Sequence, residues 1–131
     1  MTFVQTLGDS SWLFVAGGTD GGYATDTVER SAIQTDGSLG DFEDITPLPT
    51  ALLGSGVSAA DGTVVIGGGL ANTGNSVGTT YIGRLTADDD FIWEEGPELS
   101  VGRYHVNFAT VGGFIYATGG MTQSGTAHRF T

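Results

Sequence analysis

An all-β fold built from repeated antiparallel sheets is the class this sequence predicts, and three observations predict it. Three apolar runs of strand length each end in a glycine pair: Trp12-Leu-Phe-Val-Ala-Gly17-Gly18, Thr63-Val-Val-Ile-Gly67-Gly68 and Phe114-Ile-Tyr-Ala-Thr-Gly119-Gly120. The pairs recur at 50 and then 52 residues, so one structural unit is written about two and a half times. The composition agrees, because 23 glycines without a G-X-Y period, set among regular runs of Val, Ile, Phe and Tyr, suit a turn-rich β protein.

Each strand can be justified in order. Thr2 to Leu7 alternates apolar and polar residues, a turn follows at Gly8–Ser11, and Trp12 to Ala16 is an apolar run, which together predict a hairpin. Residues 19–25 carry loop chemistry, Thr27 to Ile33 resumes strand alternation, and Asp36-Gly37 supplies the next turn. Phe42 to Ile45 makes a fourth short strand, and Pro47-Leu-Pro49 stops it, since proline removes a ladder donor.

The second unit repeats this order, with Gly54 to Ala60 as first strand, Asp61-Gly62 as the hairpin turn and Thr63 to Ile66 as second strand. A polar loop over 70–78 leads to Thr80–Leu85, the turn Asp88-Asp-Asp90 and the strand Phe91–Glu94, with Pro97 falling 50 residues after Pro47. The third unit runs from Arg103 to Thr110, turns at Gly112-Gly113, enters Phe114 to Thr118, and places Ala127–Phe130 in the third-strand position. The chain therefore reads as a single domain, 1–131, made of repeats 2–50 and 51–100 and a truncated repeat 101–131.

A period near 50 with four short strands per period is expected of a propeller array. The chain resembles the kelch-repeat (galactose-oxidase-like) β-propeller family. Phe114-Ile-Tyr-Ala-Thr-Gly119-Gly120 is similar to that family's apolar run into a double glycine, Arg103-Tyr-His105 to its Arg and His on the first strand, and Trp93 before Pro97 to its tryptophan before the exit. The stretch from Thr27 to Gly40, with its DGSLG turn, is similar to a variant of the repeat common in bacterial and viral surface proteins. The second copy departs from the pattern with Leu53 and Ser55 where Arg and His would stand, and the first has Phe42 in place of tryptophan.

Composition bounds function. Four arginines, no lysine and fifteen acidic residues leave a net charge of -11, which repels phosphate backbones and anionic membranes, so no nucleic-acid partner is expected. No cysteine is present, hence no disulfide. Met1 to Gly8 lacks the basic start and unbroken apolar stretch of a signal peptide, and no run approaches the ~18–20 apolar residues of a membrane span, so no membrane insertion is expected.

Chemistry-bearing constellations are sparse. The glycine pairs Gly17-Gly18, Gly67-Gly68 and Gly119-Gly120 read as structural punctuation, because none precedes a helix pattern that could build a phosphate site. His105 and His128 stand 23 residues apart with no cysteine to join them as ligands, and Asp88–Asp90, like Asp36 with Asp41 and Asp44, lacks the spaced calcium-loop pattern. No metal and no cofactor are expected. Glu94 and Glu95 point to opposite faces of a strand and cannot flank one bond. The family resemblance implies a copper oxidase only where a tyrosine is linked to a cysteine, and this chain has none.

Trp12, Phe14, Tyr81, Trp93, Phe114 and Tyr116 are expected to pack between neighbouring sheets. A recognition surface is expected on the loops after the glycine pairs, 19–26, 70–78 and 121–126, with Tyr23, Asn72, Asn75 and Gln123 as its ligand-binding candidates. Propellers close with at least about four blades, so this set stays open unless completed by other copies or other chains, and the terminal edge strand 126–131 is the expected contact. The expected function is a non-enzymatic structural or adhesive module in a larger assembly, of a virion (tail or capsid surface) or a cell surface. The alternatives are a glycan-binding or glycan-processing propeller subunit, and an intracellular adaptor holding a basic peptide on its acidic turns.

Overall fold

The computed structural model describes residues 1–123 in full and Ser124 and residues 127–130 as backbone; the expected edge strand 126–131 lies partly outside the described residues. Two four-stranded antiparallel sheets come first. Sheet one holds β1 (Thr2–Leu7), β2 (Ser10–Asp20), β3 (Tyr23–Ala32) and β4 (Glu43–Ile45), paired in that order. Sheet two holds β5 (Gly56–Ala60), β6 (Thr63–Gly67), β7 (Thr80–Leu85) and β8 (Phe91–Glu95), again in sequence order. Two hairpins follow, β9 (Asn107–Val111) with β10 (Phe114–Thr118), and β11 (Met121–Ser124) with β12 (Ala127–Phe130). The described residues contain no helix and no sheet closes on itself, so the expected all-β antiparallel class holds.

The core lies between the two large sheets. Phe3, Phe14, Ala16 and Val28 of sheet one meet Val64, Ile66 and Phe91 of sheet two, with Leu48 from the connection between them. Phe3 and Phe14 stack at 5.2 Å, and Phe91 presents its edge to Phe14 at 4.9 Å, both favourable ring geometries. Polar contacts pin the same interface. Gln5, 4% exposed, donates from Nε2 to the Thr63 carbonyl at 3.0 Å and accepts from the Gly62 N–H at 3.1 Å. Arg30 lies over the Trp12 ring at 4.6 Å and donates to the carbonyls of Asp88 and Asp89 on the facing β7–β8 turn.

The glycine register differs from the sequence reading by one residue in the second unit. Gly17 and Gly18 have φ of 58° and 121°, and their equivalents are Gly68 and Gly69, at 66° and 106°, then Gly119 and Gly120, at 70° and 86°. Gly67 instead ends β6 as an ordinary buried strand residue. The spacing is thus 51 residues twice. The cause is visible in the bonding: Gly18 N–H donates to the Leu52 carbonyl at 2.9 Å, and Gly69 N–H to the Arg103 carbonyl at 2.7 Å, so each pair sits against the connector into the next unit. Three consecutive glycines, Gly67 to Gly69, made the pair ambiguous in sequence.

Other expectations need correction. Residues 19–25 are not a loop: β2 bulges between Ala16 and Gly18, then continues to Asp20 and returns through a two-residue turn at Gly21 and Gly22, both with positive φ. Residues 121–124 are likewise a strand, and Ala127–Phe130 pairs with this β11 rather than with β10. Residues 103–106 form a connector, and the first strand of the third unit begins only at Asn107.

Phe14 and Tyr81 are buried and Trp12 and Trp93 pack against the core as expected, but Phe114 and Tyr116 are 68% and 54% exposed. The reason is that among the described residues no sheet covers their side of the β9–β10 hairpin. Its other side, with Phe108, Ile115 and Ala117, faces sheet two across an apolar cleft of about 290 Å³.

Candidate functional site

The predicted loop surface is assembled by hydrogen bonds between units. Asn72 accepts from the Ala24 N–H at 2.7 Å and donates back to its carbonyl at 3.2 Å, joining the 70–78 loop to the β2–β3 hairpin. Ser76 N–H donates to the Gln123 carbonyl, and Gln123 N–H returns to Ser76 Oγ at 3.0 Å, joining the same loop to β11. Tyr23, Asn72, Asn75 and Gln123 therefore lie along one ridge at the loop end of the sheets.

Their freedom differs. Tyr23 is 71% exposed at the hairpin tip. The Asn72 amide is spent on Ala24, a structural duty the sequence did not reveal. Asn75 donates to Thr73 Oγ1 within its own turn, and Gln123 is half-buried. The ridge thus offers one aromatic ring and few free polar groups.

Arg103 and His105 are placed by the connector into the third unit. Arg103 donates from Nη1 to the Gly119 carbonyl at 2.9 Å, while its own carbonyl receives Gly69. His105 has a φ of 53°, donates its N–H to the Gly54 carbonyl at 2.6 Å and rests its ring on Tyr104 at 5.0 Å. By the 51-residue register their counterparts in the second unit are Leu52 and Gly54, not Leu53 and Ser55. Both side chains serve the connector's conformation rather than a shared polar centre.

The acidic turns are also engaged within the fold. Asp36 accepts from the Ser38 hydroxyl at 2.6 Å and from its N–H at 2.9 Å; these bonds hold its pKa below the ordinary value. Asp90 receives the Thr46 N–H, the Thr46 hydroxyl and the Phe91 N–H, and so staples the exit of sheet one to the β7–β8 turn. Partial burial pushes the Asp90 pKa up, but the bonds from Phe91 and Thr46 and the charge of Arg30 outweigh it, leaving the net shift downward. Glu94 pairs with Arg84 at 2.6 Å, on the face opposite Glu95's partner position, Tyr81. Among the described residues no group of three or more His, Cys, Asp or Glu side chains could hold a metal ion, and no helix is long and apolar enough to cross a membrane.

The surface feature that sequence reasoning missed is apolar. Val111, Phe114 and Tyr116, at 64%, 68% and 54% exposure, share the outer face of the β9–β10 hairpin through the pairs Phe114–Val111 and Tyr116–Ala109. No charged side chain lies on that face. The cleft behind it is lined by Val65, Thr80, Ile82, Leu99, Phe108 and Ile115 among others, none of them ionisable, and the Thr80 hydroxyl is already bonded to the Pro97 carbonyl. This geometry suits the docking of apolar protein surface better than acid–base or metal chemistry. No family model matches the sequence, and no curated protein matches it with significance.

Proposed function

We propose that this chain is a kelch-type propeller module with a non-enzymatic, structural or adhesive role in a larger assembly at a virion or cell surface. One observation carries the reading: successive units stack face to face at a 51-residue period, and the β9–β10 hairpin presents an uncharged, aromatic sheet face to solvent. Exposed apolar patches of this kind mark interaction sites. The likeness of Thr27–Gly40 to repeats of bacterial and viral surface proteins supports the setting. Support for a non-catalytic role comes from the use of Arg30, Arg84, Asp36 and Asp90 in holding turns and sheets together. Size fractionation of native extracts, with the chain followed by antibody, tests the reading. A position well above a single 13.4 kDa chain is expected, and recovery as free monomer overturns it.

A second reading, a glycan-binding module, rests on Tyr23, whose exposed ring stands at the tip of the hydrogen-bonded ridge. A glycan array that compares the protein with Tyr23→Ala tests it; absent or unchanged binding removes it.

A further inference from the structure

The two contacts between successive units are one contact used twice. Sheet one turns Phe3, Trp12, Phe14 and Ala16 toward Val57, Ala59, Val64 and Ile66 of sheet two. Sheet two turns the matching positions, Ser58, Thr63, Val65 and Gly67, toward Phe108, Thr110, Ile115 and Ala117 of the β9–β10 hairpin. Ser58 Oγ meets Thr110 Oγ1 at 2.5 Å, and a methyl group on Gly67 would touch the Phe108 ring. The equivalence follows the glycine register: Phe14, Val65 and Tyr116 each stand three residues before the first positive-φ glycine of their unit. The contact is head-to-tail, with one kind of face presented and the opposite kind received.

Each kind remains uncovered once. On the third unit, Phe114 and Tyr116 occupy the positions of Trp12 and Phe14, the aromatic pair that sheet one buries, yet they are exposed. On sheet one, Val4, Leu13 and Val15 occupy the positions of Ala59, Val64 and Ile66, which sheet two buries; Val4 is 51% exposed and the other two are half-buried. On the first two strands of sheet one this face adds only Thr2, Thr6 and Ser11, and on β3 it continues through Ser31 and Glu29, the latter opposite Val15. The first strands β1, β5 and β9 approach one another from unit to unit, which sets them toward a common centre.

From this continuity with the internal interfaces we infer that the occupant is a second copy of this chain, its Val4–Leu13–Val15 face seated on the Val111–Phe114–Tyr116 face of the first. The inference rests on the propeller-type stacking proposed above. A head-to-tail contact closes only if the rotation returns to its start. Rings of such sheets hold about four to eight units; the described residues supply two four-stranded sheets and, in the β9–β10 hairpin, a third stacked face, so a pair of copies brings six faces, within that range. The closed form is a two-fold dimer with the same contact made twice. At a net charge of -11 per chain the copies repel, so added salt strengthens the dimer, opposite to an interface built on ion pairs.

Sedimentation equilibrium of the purified full chain tests this, with Tyr116→Glu and Val4→Glu as variants. Both positions are exposed, so circular dichroism is expected to stay unchanged. The protein is expected to be a dimer, and each variant to weaken dimerisation roughly 30-fold or more, the effect of losing a central contact. Mixing the two variants leaves one of the two contacts intact and is expected to restore dimers that neither forms alone. A monomer at the highest soluble concentration, an open polymer, or a dimer untouched by both variants overturns the inference. A purified monomer that still migrates in a larger native assembly overturns self-docking and leaves the assembly reading standing.

Discussion

Gly18 donates its backbone N–H to the carbonyl of Leu52 at 2.9 Å, tying the bulged second strand of sheet one to the chain that enters sheet two. The bond is repeated 51 residues later between Gly69 and Arg103. It defines the repeat more sharply than any side chain, because it fixes where one unit ends against the next.

The residue before each donor tests that joint. A Cβ on Gly68 would stand 2.5 Å from the Arg103 carbonyl oxygen at a φ of 66°, whereas one on Gly119, at 70°, would meet nothing within 4 Å among the described residues. Gly68→Ala therefore adds a backbone clash to the cost of left-handed geometry, and Gly119→Ala carries that cost alone, about 1–2 kcal/mol. Urea denaturation should rank Gly68→Ala as clearly the less stable, and equal losses would contradict the joint.

Gln5 should be costly to truncate. Its buried amide satisfies both the Thr63 carbonyl and the Gly62 N–H across the sheet interface. Gln5→Ala removes both bonds across the interface and is expected to cost about 1–3 kcal/mol in chemical denaturation. A loss under about 0.5 kcal/mol, the size of an ordinary surface substitution, would show that the clamp does not form.

His105 occupies the left-handed conformation that Gly54 holds 51 residues earlier, at φ of 53° and 68°. His105→Gly is expected to raise stability by about 0.5–1 kcal/mol, while His105→Ala does not. Thermal unfolding of the two variants checks this, and a destabilised glycine variant would assign the histidine ring a larger role than its contact with Tyr104.

Asp90 gives the pH prediction. Its folded pKa lies below the ordinary 3.8, so its contribution to stability is complete above that value and is lost as pH falls through the folded pKa. Thermal midpoints measured downward from pH about 5 should fall more steeply in the native sequence than in Asp90→Asn. Parallel curves would mean that the bonds to Thr46 and Phe91 do not favour the ionised form.

Much of the fold was legible because period-two alternation and turn chemistry act locally. The turns at Gly112-Gly113 and Asp61-Gly62, and the stop at Pro47, needed only neighbouring residues. The register of the second glycine pair was not legible, since Gly67, Gly68 and Gly69 are identical in sequence and only the distant Arg103 carbonyl distinguishes them. Residues 19–25 read as a loop because their composition is that of a turn, yet the bulge at Gly17 lets ladder pairing resume beyond it. The residues of the candidate ridge lie at one end of the sheets, but the use of Asn72 on Ala24 spans 48 residues and leaves no local signal. Phe114 and Tyr116 fitted the core pattern of Trp12 and Phe14; what they lack is a covering sheet, which no property of their own segment could disclose.

That missing cover is the centre of the account, and hydroxyl-radical footprinting read by mass spectrometry tests it most directly. Oxidation of Phe114 and Tyr116 is expected to be strong in dilute protein and to fall as concentration rises, together with that of Leu13 and Val15, while exposed Tyr23 stays constant. Oxidation of Phe114 and Tyr116 that does not change with concentration would contradict the claim that this face is an interface between copies.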